Sequence, residues 1–270
     1  MVDRTLQWEA LRNARDLGGL PITGGGETRF GGVVRSDTLR QLMPAGWKSL
    51  STYGVRTVVD LRFQVEIVAN EPLDTGPGGL SREHRGGRRP DGEGRPAELR
   101  TVAVSVLGEP DRELGNHFDG ISRAQPTPAE STRAVYLEML ELFRPRFAAA
   151  VAAVGDAPDG GVLVHCHAGK DRTGLVVALL LAVAGVESSA IAADYALSGA
   201  NLASSLAAWV DDADDEDDRE HRSRVGASPE QSMLAVLETL DHLYGSSARY
   251  LLGAGLTEDD LSHVRERLLA

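Results

Sequence analysis

The sequence predicts a single α/β domain over residues 1–270, in which a mainly parallel central sheet lies between layers of helices. Three observations support this three-layer fold. Short apolar runs that suit buried strands, such as 57–61 and 161–164, alternate with longer segments of helical periodicity. A glycine-containing loop at 166–170 joins one of these strands directly to an apolar helix. In such sheets, binding sites lie at the carboxyl ends of the strands.

The N-terminal half predicts strands first and then a helix. The expected elements are strands at 11–20 and 30–34, a helix over 37–53, and strands at 57–61 and 99–107. Pro44 marks where that helix proper begins. Residues 74–96 are rich in glycine, arginine and proline without periodicity, which predicts a mobile insertion. The alternative for this insertion, which carries Arg82, Arg85, Arg88, Arg89 and Arg95, is a basic flap that recruits an anionic substrate.

The C-terminal half predicts mainly helices. They are expected over 132–154 with a kink at Pro145, from Thr173 onward, after Gly185 with a break near Ser198, over 226–244, and over 257–269 with Thr257 as the cap. Residues 211–218 are almost all acidic, which favours a disordered and solvated run. The surrounding segment 198–226 is therefore predicted as an acidic loop, with a gating lid as the alternative.

Composition excludes several classes of protein. A formal net charge of −12 opposes nucleic-acid binding and attachment to anionic membranes. The chain has no apolar run long enough for a stable membrane insertion and no signal-peptide pattern at its start. One cysteine in the whole sequence excludes an internal disulfide and fits a reducing compartment. We therefore expect a cytoplasmic protein. The alternative of export by a route that needs no signal peptide stays open.

The loop after the strand at 161–164 carries that only cysteine, Cys166. Successive backbone N–H groups in such a loop, together with the start of the following helix, attract a tetrahedral anion. A helix N-terminus and nearby cations also favour the thiolate form of a cysteine. Arg172 adds a planar guanidinium, which can hold two phosphate oxygens at once. The sequence thus predicts a catalytic phosphate-binding loop with Cys166 as the nucleophile.

Further residues of the loop have predicted roles. The phosphate-binding set is expected to be His167, Ala168, Gly169, Lys170, Asp171 and Arg172, with a phosphate ion as ligand. The hydroxyl of Thr173 can donate a hydrogen bond to the thiolate and ease its departure from a phosphocysteine. The alternative is a buried structural cysteine beside a charged turn, since free cysteine is often buried and inert. That alternative leaves the clustering of glycine and charge after Cys166 unexplained.

The loop resembles the signature H-C-x-A-G-K-D-R-T-G of the atypical bacterial and fungal tyrosine-protein phosphatase family. Weaker matches lie at 13–19 (NARDLGG), 34–39 (VRSDTL), 58–62 (VVDLR, with Glu66 just beyond), 246–252 and 255–257, so the resemblance covers nearly the whole chain. It implies a cysteine-dependent phosphatase that acts on phosphotyrosine, on phosphoserine and phosphothreonine, or on phosphoinositides. The catalytic groups belong to the protein, so no metal or cofactor is expected. In this family, helices near 198–226 can cover the active site.

The general acid remains open between three aspartates. The chain lacks the Trp-Pro-Asp tripeptide that many related phosphatases use. The resemblance implies Asp171, because the family's candidate lies in the loop just before the arginine. A carboxylate beside a bound dianion retains its proton more readily, which suits a general acid. Asp60, at the end of a strand, is the second candidate, although an ion pair that orients Arg62 is its simpler role; Asp119 is the third.

Lys170 leaves the substrate class open. A second loop cation favours substrates with additional negative charge, such as phosphoinositides, and the alternative is a solvent-facing lysine paired with an acidic neighbour. The sequence therefore predicts a protein phosphatase of tyrosine or broader specificity acting on phosphorylated proteins. A phosphoinositide phosphatase and a non-catalytic phosphate-binding module are the two alternatives.

Overall fold

A computed structural model describes residues 3–68 and 94–269. Its central sheet has five strands: β1 (Arg15–Asp16), β2 (Val33–Ser36), β3 (Val55–Asp60), β4 (Arg100–Ala103) and β5 (Gly161–His165). Their spatial order is β1-β2-β5-β3-β4, and every pair is parallel except β1 with β2. Ser36 and Asp60 both lie opposite His165. Three strands therefore end together, at one edge of the sheet.

Helices surround this sheet. They are α1 (Pro44–Tyr53), α2 (Gln64–Val68), α3 (Arg112–Arg123), α4 (Pro128–Leu142), α5 (Arg144–Gly155), α6 (Asp171–Val183), α7 (Ser188–Asn201), α8 (Ala203–Asp211), α9 (Glu216–Gly226), α10 (Glu230–Tyr244), α11 (Ser247–Leu252) and α12 (Glu258–Leu268). None of the helices in the described part of the chain is long and apolar enough to cross a membrane.

Both faces of the sheet are buried, as the apolar runs predict. Val34, Val58 and Leu163 face a small core that includes Trp47 of α1. The alternate strand residues, such as Val59, face a larger core formed with α4–α7 and α10–α12. Side chains alternate between the faces of a strand, so a strand buried on both sides is apolar throughout. The predicted three-layer α/β fold with a mainly parallel sheet is confirmed.

The predicted strands are longer than the observed ones. The strand expected at 11–20 is only β1, because the chain turns after Asp16, whose carboxylate accepts a hydrogen bond from the Gly18 N–H at 2.6 Å. A Cβ atom on Gly18 would lie 2.6 Å from the backbone of Phe30, so the two segments cross closely there. The strand expected at 99–107 pairs with β3 only as far as Ala103, since β3 itself ends at Asp60.

The prediction of a disordered acidic run is wrong in the part that forms α9. The carboxylate of Asp215 caps this helix by accepting a hydrogen bond from the Asp218 N–H at 2.8 Å. Acidic residues in a first turn also favour a helix, because they interact with its positive dipole end. The helix expected over 132–154 is two helices, α4 and α5, and Pro145 lies in the first turn of the second, where proline is tolerated.

The predicted insertion 74–96 lies outside the described residues except for its last three positions. Four of its five arginines, Arg82, Arg85, Arg88 and Arg89, are outside as well. The guanidinium carbon of Arg95 lies 5.9 Å from the centre of the Trp47 ring. Mobility of the insertion and its alternative role as a basic flap stay predictions.

Candidate active site

The loop 166–170 lies where β2, β3 and β5 end, and it packs tightly against the end of β2. Gly169 has a φ of +67°, and a Cβ atom there would lie 2.2 Å from the carbonyl oxygen of Ser36. Only glycine combines that backbone conformation with so close an approach. The contact therefore fixes the path of the loop into the first turn of α6.

Three carbonyl groups of the loop point towards hydrogen-bond donors that lie outside it. The His167 carbonyl accepts from the Thr38 N–H at 2.8 Å. The amide of Asn13 donates to the carbonyls of Ala168 and Gly169, both at 3.1 Å, and Nη2 of Arg35 donates to that of Gly169 at 2.7 Å.

The next N–H groups must therefore point inward. A trans peptide places its N–H opposite its carbonyl, so those of Ala168, Gly169 and Lys170 face the concave side. Within the described residues these three N–H groups donate no hydrogen bond. The first intrahelical bond of α6 runs from the Gly174 N–H to the Lys170 carbonyl, so the helix adds further unpaired donors. Unpaired N–H groups at the start of a helix suit an anion, and binding of a phosphate ion by this loop stays a prediction.

Cys166 is the first residue of this loop after β5, and it is only 3 % exposed. Its carbonyl accepts a hydrogen bond from Nδ1 of His165 at 2.9 Å. Burial lowers the pKa of His165, and burial together with Arg172 lowers the pKa of His167 to about 4. Both histidines are therefore neutral at neutral pH, and the positive charge beside Cys166 comes from Arg172 and the N-terminus of α6.

The Arg172 side chain is held in a fixed plane. It donates to both carboxylate oxygens of Glu66, at 2.6 Å from Nη1 to Oε2 and 3.2 Å from Nη2 to Oε1. Its guanidinium carbon also lies 5.0 Å from the centre of the Phe63 ring. Burial alone would raise the pKa of Glu66, but Arg172 holds it below the usual value, so Glu66 is ionised. A two-point ion pair of this kind sets the orientation of the arginine.

Asp60 is committed to a structural pair. Its carboxylate accepts from Nε and Nη2 of Arg62, at 2.9 and 2.7 Å, and its Oδ2 lies 3.6 Å from Nε2 of His165. Burial alone would raise the pKa of Asp60, but the charged guanidinium of Arg62 and its hydrogen bonds hold it below the usual value. A buried, ionised carboxylate with these donors is poorly suited to give up a proton.

Asp171 is the first residue of α6, and its side chain is 29 % exposed. Its Oδ1 accepts a hydrogen bond from the Tyr136 hydroxyl at 2.6 Å, and Nζ of Lys170 lies 3.3 Å from the same oxygen. Its Oδ2 has no hydrogen bond within the described residues. This carboxylate therefore has one anchored oxygen and one open oxygen beside the loop.

Lys170 is buried, so the alternative in which it faces solvent is wrong. The same alternative also predicted an acidic partner for Lys170, and the structure provides one in Asp171. Its ammonium group donates to the carbonyls of Val225, Gly226 and Ala227, at 2.6, 3.3 and 3.0 Å. These carbonyls end α9, and a cation stabilises that end of a helix. Lys170 thus links the loop to α9.

Two further predicted residues have less direct evidence. The Thr173 hydroxyl is buried and makes no hydrogen bond within the described residues, so its bond to the thiolate stays a prediction. Asp119 lies on α3, and its Oδ1 is 3.5 Å from Nε2 of His221 on α9. Within the described chain it makes no hydrogen bond or ion pair with the loop, which weakens its candidacy as the acid.

Sequence reasoning missed the charged group behind the loop. Asp194 is fully buried and pairs with Arg4, Arg15 and Arg35, at 2.8, 3.0 and 2.8 Å. Burial opposes its ionisation, yet Arg15 and Arg35 hold its pKa well below the usual range. The sequence does carry a signal, since Asp194 lies three residues after Ile191 on the apolar face of its helix.

A loop with unpaired amides, a buried thiol and a fixed arginine is the arrangement that a cysteine-dependent phosphatase requires. The model of the tyrosine phosphatase family matches residues 6–270, so the chain belongs to that family. It is similar to the tyrosine-protein phosphatase of Nostoc commune, with 28 % identity over 87 % of this chain and 73 % of that protein. It is also similar to the triple specificity protein phosphatase PtpB of Mycobacterium tuberculosis, with 26 % identity over 89 % and 92 %.

Proposed function

We propose that this tyrosine phosphatase cleaves phosphate esters through a phosphocysteine intermediate on Cys166. The observation that carries the proposal is a buried thiol at the start of a loop with three unpaired N–H groups, followed by an arginine whose guanidinium Glu66 holds in place. The amides and Arg172 then surround the equatorial phosphoryl oxygens, where charge must be stabilised in the transition state. The product, inorganic phosphate, binds in the same loop.

The reaction has two steps. In the first, Sγ of Cys166 attacks phosphorus, the bond from phosphorus to the leaving oxygen breaks, and Asp171 gives its proton to that oxygen. In the second, the Asp171 carboxylate takes a proton from water as the water attacks phosphorus and the thiolate leaves. A hydrogen bond from Thr173 eases that departure. Protein groups supply both steps, so the mechanism needs neither metal nor cofactor.

The geometry favours Asp171 over Asp60 as the acid. A general acid must reach the leaving oxygen with an oxygen that is free to carry the proton. Asp171 keeps Oδ2 open on the first turn of α6, next to the loop. Asp60 has both oxygens engaged by Arg62 and is 3 % exposed. Its role is to hold the side chain of Arg62.

The substrates that we propose are phosphorylated proteins, with phosphotyrosine as the main target. PtpB of Mycobacterium tuberculosis is named for triple specificity, and that relative supports a broader range here. A second cation at Lys170 favoured phosphoinositide substrates in the sequence analysis. Its ammonium group instead donates hydrogen bonds to carbonyls at the end of α9, which makes it less available to a substrate. A non-catalytic phosphate-binding module has no use for Cys166. We place the reaction in the cytoplasm, where a lone catalytic thiol stays reduced.

Hydrolysis of para-nitrophenyl phosphate in EDTA, by the wild type and three variants, tests this proposal. Cys166→Ser should abolish turnover. Asp171→Asn should cost about 10²- to 10⁴-fold with a phosphoserine peptide, whose leaving group needs a proton, and less with the nitrophenyl ester. Asp60→Asn should slow both substrates equally. A wild type that binds phosphate but hydrolyses neither ester would establish the binding-module alternative.

A second comparison separates protein substrates from phosphoinositides. A phosphotyrosine peptide should give a higher kcat/KM than soluble inositol phosphates at equal ionic strength. A preference for the inositol phosphates, reduced by Lys170→Met, would show that Lys170 leaves α9 to bind substrate and would support the phosphoinositide alternative.

A further inference from the structure

We infer that Tyr136 is a positioning residue for the general acid: its hydroxyl fixes Asp171 so that the open carboxylate oxygen faces the leaving group. The inference rests on the proposed function and deepens it. The carrying observation is the 2.6 Å hydrogen bond from the Tyr136 hydroxyl to Oδ1 of Asp171. Tyr136 lies on α4, and it precedes Asp171 by 35 residues in the chain.

The hydroxyl of Tyr136 is itself held in one orientation. It lies 3.0 Å from the hydroxyl of Tyr195, and both tyrosines are almost completely buried. Because Tyr136 uses its only proton to donate to Asp171, Tyr195 must be the donor between the two. Burial and the charge of Asp171 raise the pKa of both tyrosines, so both keep their protons during catalysis. The result is a fixed chain of donors from Tyr195 through Tyr136 to Asp171.

The chain of donors determines which oxygen of Asp171 reacts. Oδ1 receives the Tyr136 hydroxyl and faces the Lys170 ammonium group, so the carboxyl proton resides on Oδ2. As the bond from phosphorus to the leaving oxygen breaks, that proton passes from Oδ2 to the leaving oxygen, and Tyr136 retains its own. A free carboxyl on the first turn of a helix would rotate between several orientations, and fixing one removes that entropic cost.

The test compares Tyr136→Phe with the wild type on two aryl esters, phenyl phosphate and para-nitrophenyl phosphate. Phenolate is the poorer leaving group and depends more on protonation. We expect kcat to fall on the order of tenfold or more with phenyl phosphate, and about threefold or less with the nitrophenyl ester.

Tyr250→Phe is the matched control. The Tyr250 hydroxyl is equally buried and donates to the Leu140 carbonyl at 2.6 Å, in the core beside α11. This control should lower stability without changing the ratio of the two kcat values. In addition, Tyr136→Phe should have little effect in an Asp171→Asn background, since a positioning residue acts only through the group that it positions.

The outcomes separate this inference from the function on which it rests. If Asp171→Asn shows the loss that depends on the leaving group and Tyr136→Phe behaves like Tyr250→Phe, the inference is overturned and the proposed function stands. If the wild type hydrolyses neither ester, the proposed function fails first. Should Tyr136→Phe not fold, Tyr195→Phe removes the donor behind Tyr136, and it should shift the kcat ratio in the same direction to a smaller extent.

Discussion

At the scale of single residues, catalysis depends on side chains that hold the reacting groups in place. In the proposed mechanism, Arg172 binds two phosphoryl oxygens, and this is most favourable when its plane is set before substrate arrives. Glu66 sets that plane from α2, through an ion pair with both guanidinium nitrogens. A mobile arginine would bind the same dianion but would lose the advantage of a preorganised site.

Glu66→Gln should therefore impair the reaction while keeping the size of the side chain. We expect kcat/KM for para-nitrophenyl phosphate to fall on the order of 10²-fold, because an amide no longer accepts from Arg172 at both positions. Steady-state kinetics measure this, with Glu238→Gln on the exposed face of α10 as the matched control. A kcat/KM within twofold of the wild type would show that Arg172 does not need Glu66.

Neighbours in the sequence were predictable at this scale, and partners from distant segments were not. The unpaired N–H groups, Cys166 and Arg172 follow from one continuous loop, whose geometry depends on its own glycine and the next helix. Glu66 and Tyr136 reach that loop from 106 and 35 residues away. The sequence showed Tyr136 only as one of several apolar residues on a helix face, and its hydroxyl gave no signal of a partner.

At the scale of elements, α9 connects to the active-site loop through Lys170. The helix begins with the last three residues of the acidic run 211–218, which composition assigned to disorder. Its basic residues pair with acidic ones one turn away: Arg219 with Glu216, Arg222 with Asp218 and Arg224 with Glu220. Ion pairs at this spacing stabilise a helix. Alternating acidic and basic residues in the sequence therefore predict a helix here, whereas a count of acidic residues alone does not.

Lys170→Met should loosen α9. The carbonyls of Val225, Gly226 and Ala227 lose a buried cationic donor, and bonds to charged groups contribute about 1.5–3 kcal/mol each. Amide hydrogen exchange across residues 216–226 should speed up on the order of tenfold or more, as measured by mass spectrometry. Lys48→Met, at an exposed lysine of α1, is the control. Unchanged hydrogen exchange in α9 would contradict the stabilisation of this helix by Lys170. Gating of the active site by residues 198–226 stays a prediction.

At the scale of the whole molecule, one buried carboxylate joins segments far apart in the sequence. Asp194 on α7 pairs with Arg15 of β1 and Arg35 of β2, and Arg4 adds a third contact before the sheet begins. Arg35 in turn donates to the Gly169 carbonyl at the back of the loop. Folding of the N-terminal segment, the sheet and the active-site loop is therefore coupled through this cluster.

Asp194→Asn should destabilise the whole fold. Removing one partner of a buried ion pair typically costs about 3–5 kcal/mol, and here three guanidinium groups lose their shared counter-charge. Urea unfolding measures the loss, and Asp241→Asn on the exposed face of α10 should change the free energy of unfolding by about 0.5 kcal/mol or less. Equal stability of the two variants would contradict the coupling.

The same residue predicts how stability depends on pH. The pKa of Asp194 is lowered on folding, because Arg15 and Arg35 outweigh the effect of burial. The unfolded chain therefore binds this proton more tightly, and the contribution is complete above the ordinary value of about 4 and declines below it. The free energy of unfolding of the wild type should fall more steeply below about pH 4 than that of Asp194→Asn. Parallel curves would assign the acid sensitivity to other groups.

The fold was more predictable than its boundaries. Apolar strands buried on both faces leave a clear pattern, so the three-layer α/β fold followed from runs such as 161–164. Strand ends depend on pairing: the strand expected at 99–107 ends at Ala103 because its neighbour ends at Asp60. Asp194 was missed because a buried charge is favourable only with partners that the fold supplies.

The central claim is that Cys166 carries the phosphoryl group, and a rapid acid quench tests it most directly. A phosphotyrosine peptide labelled with ³²P is mixed with the wild type, stopped within milliseconds and mapped by proteolysis. We expect the label on the peptide that contains Cys166, and neither label nor turnover with Cys166→Ser. Label on another residue, or turnover by Cys166→Ser within tenfold of the wild type, would contradict the phosphocysteine mechanism.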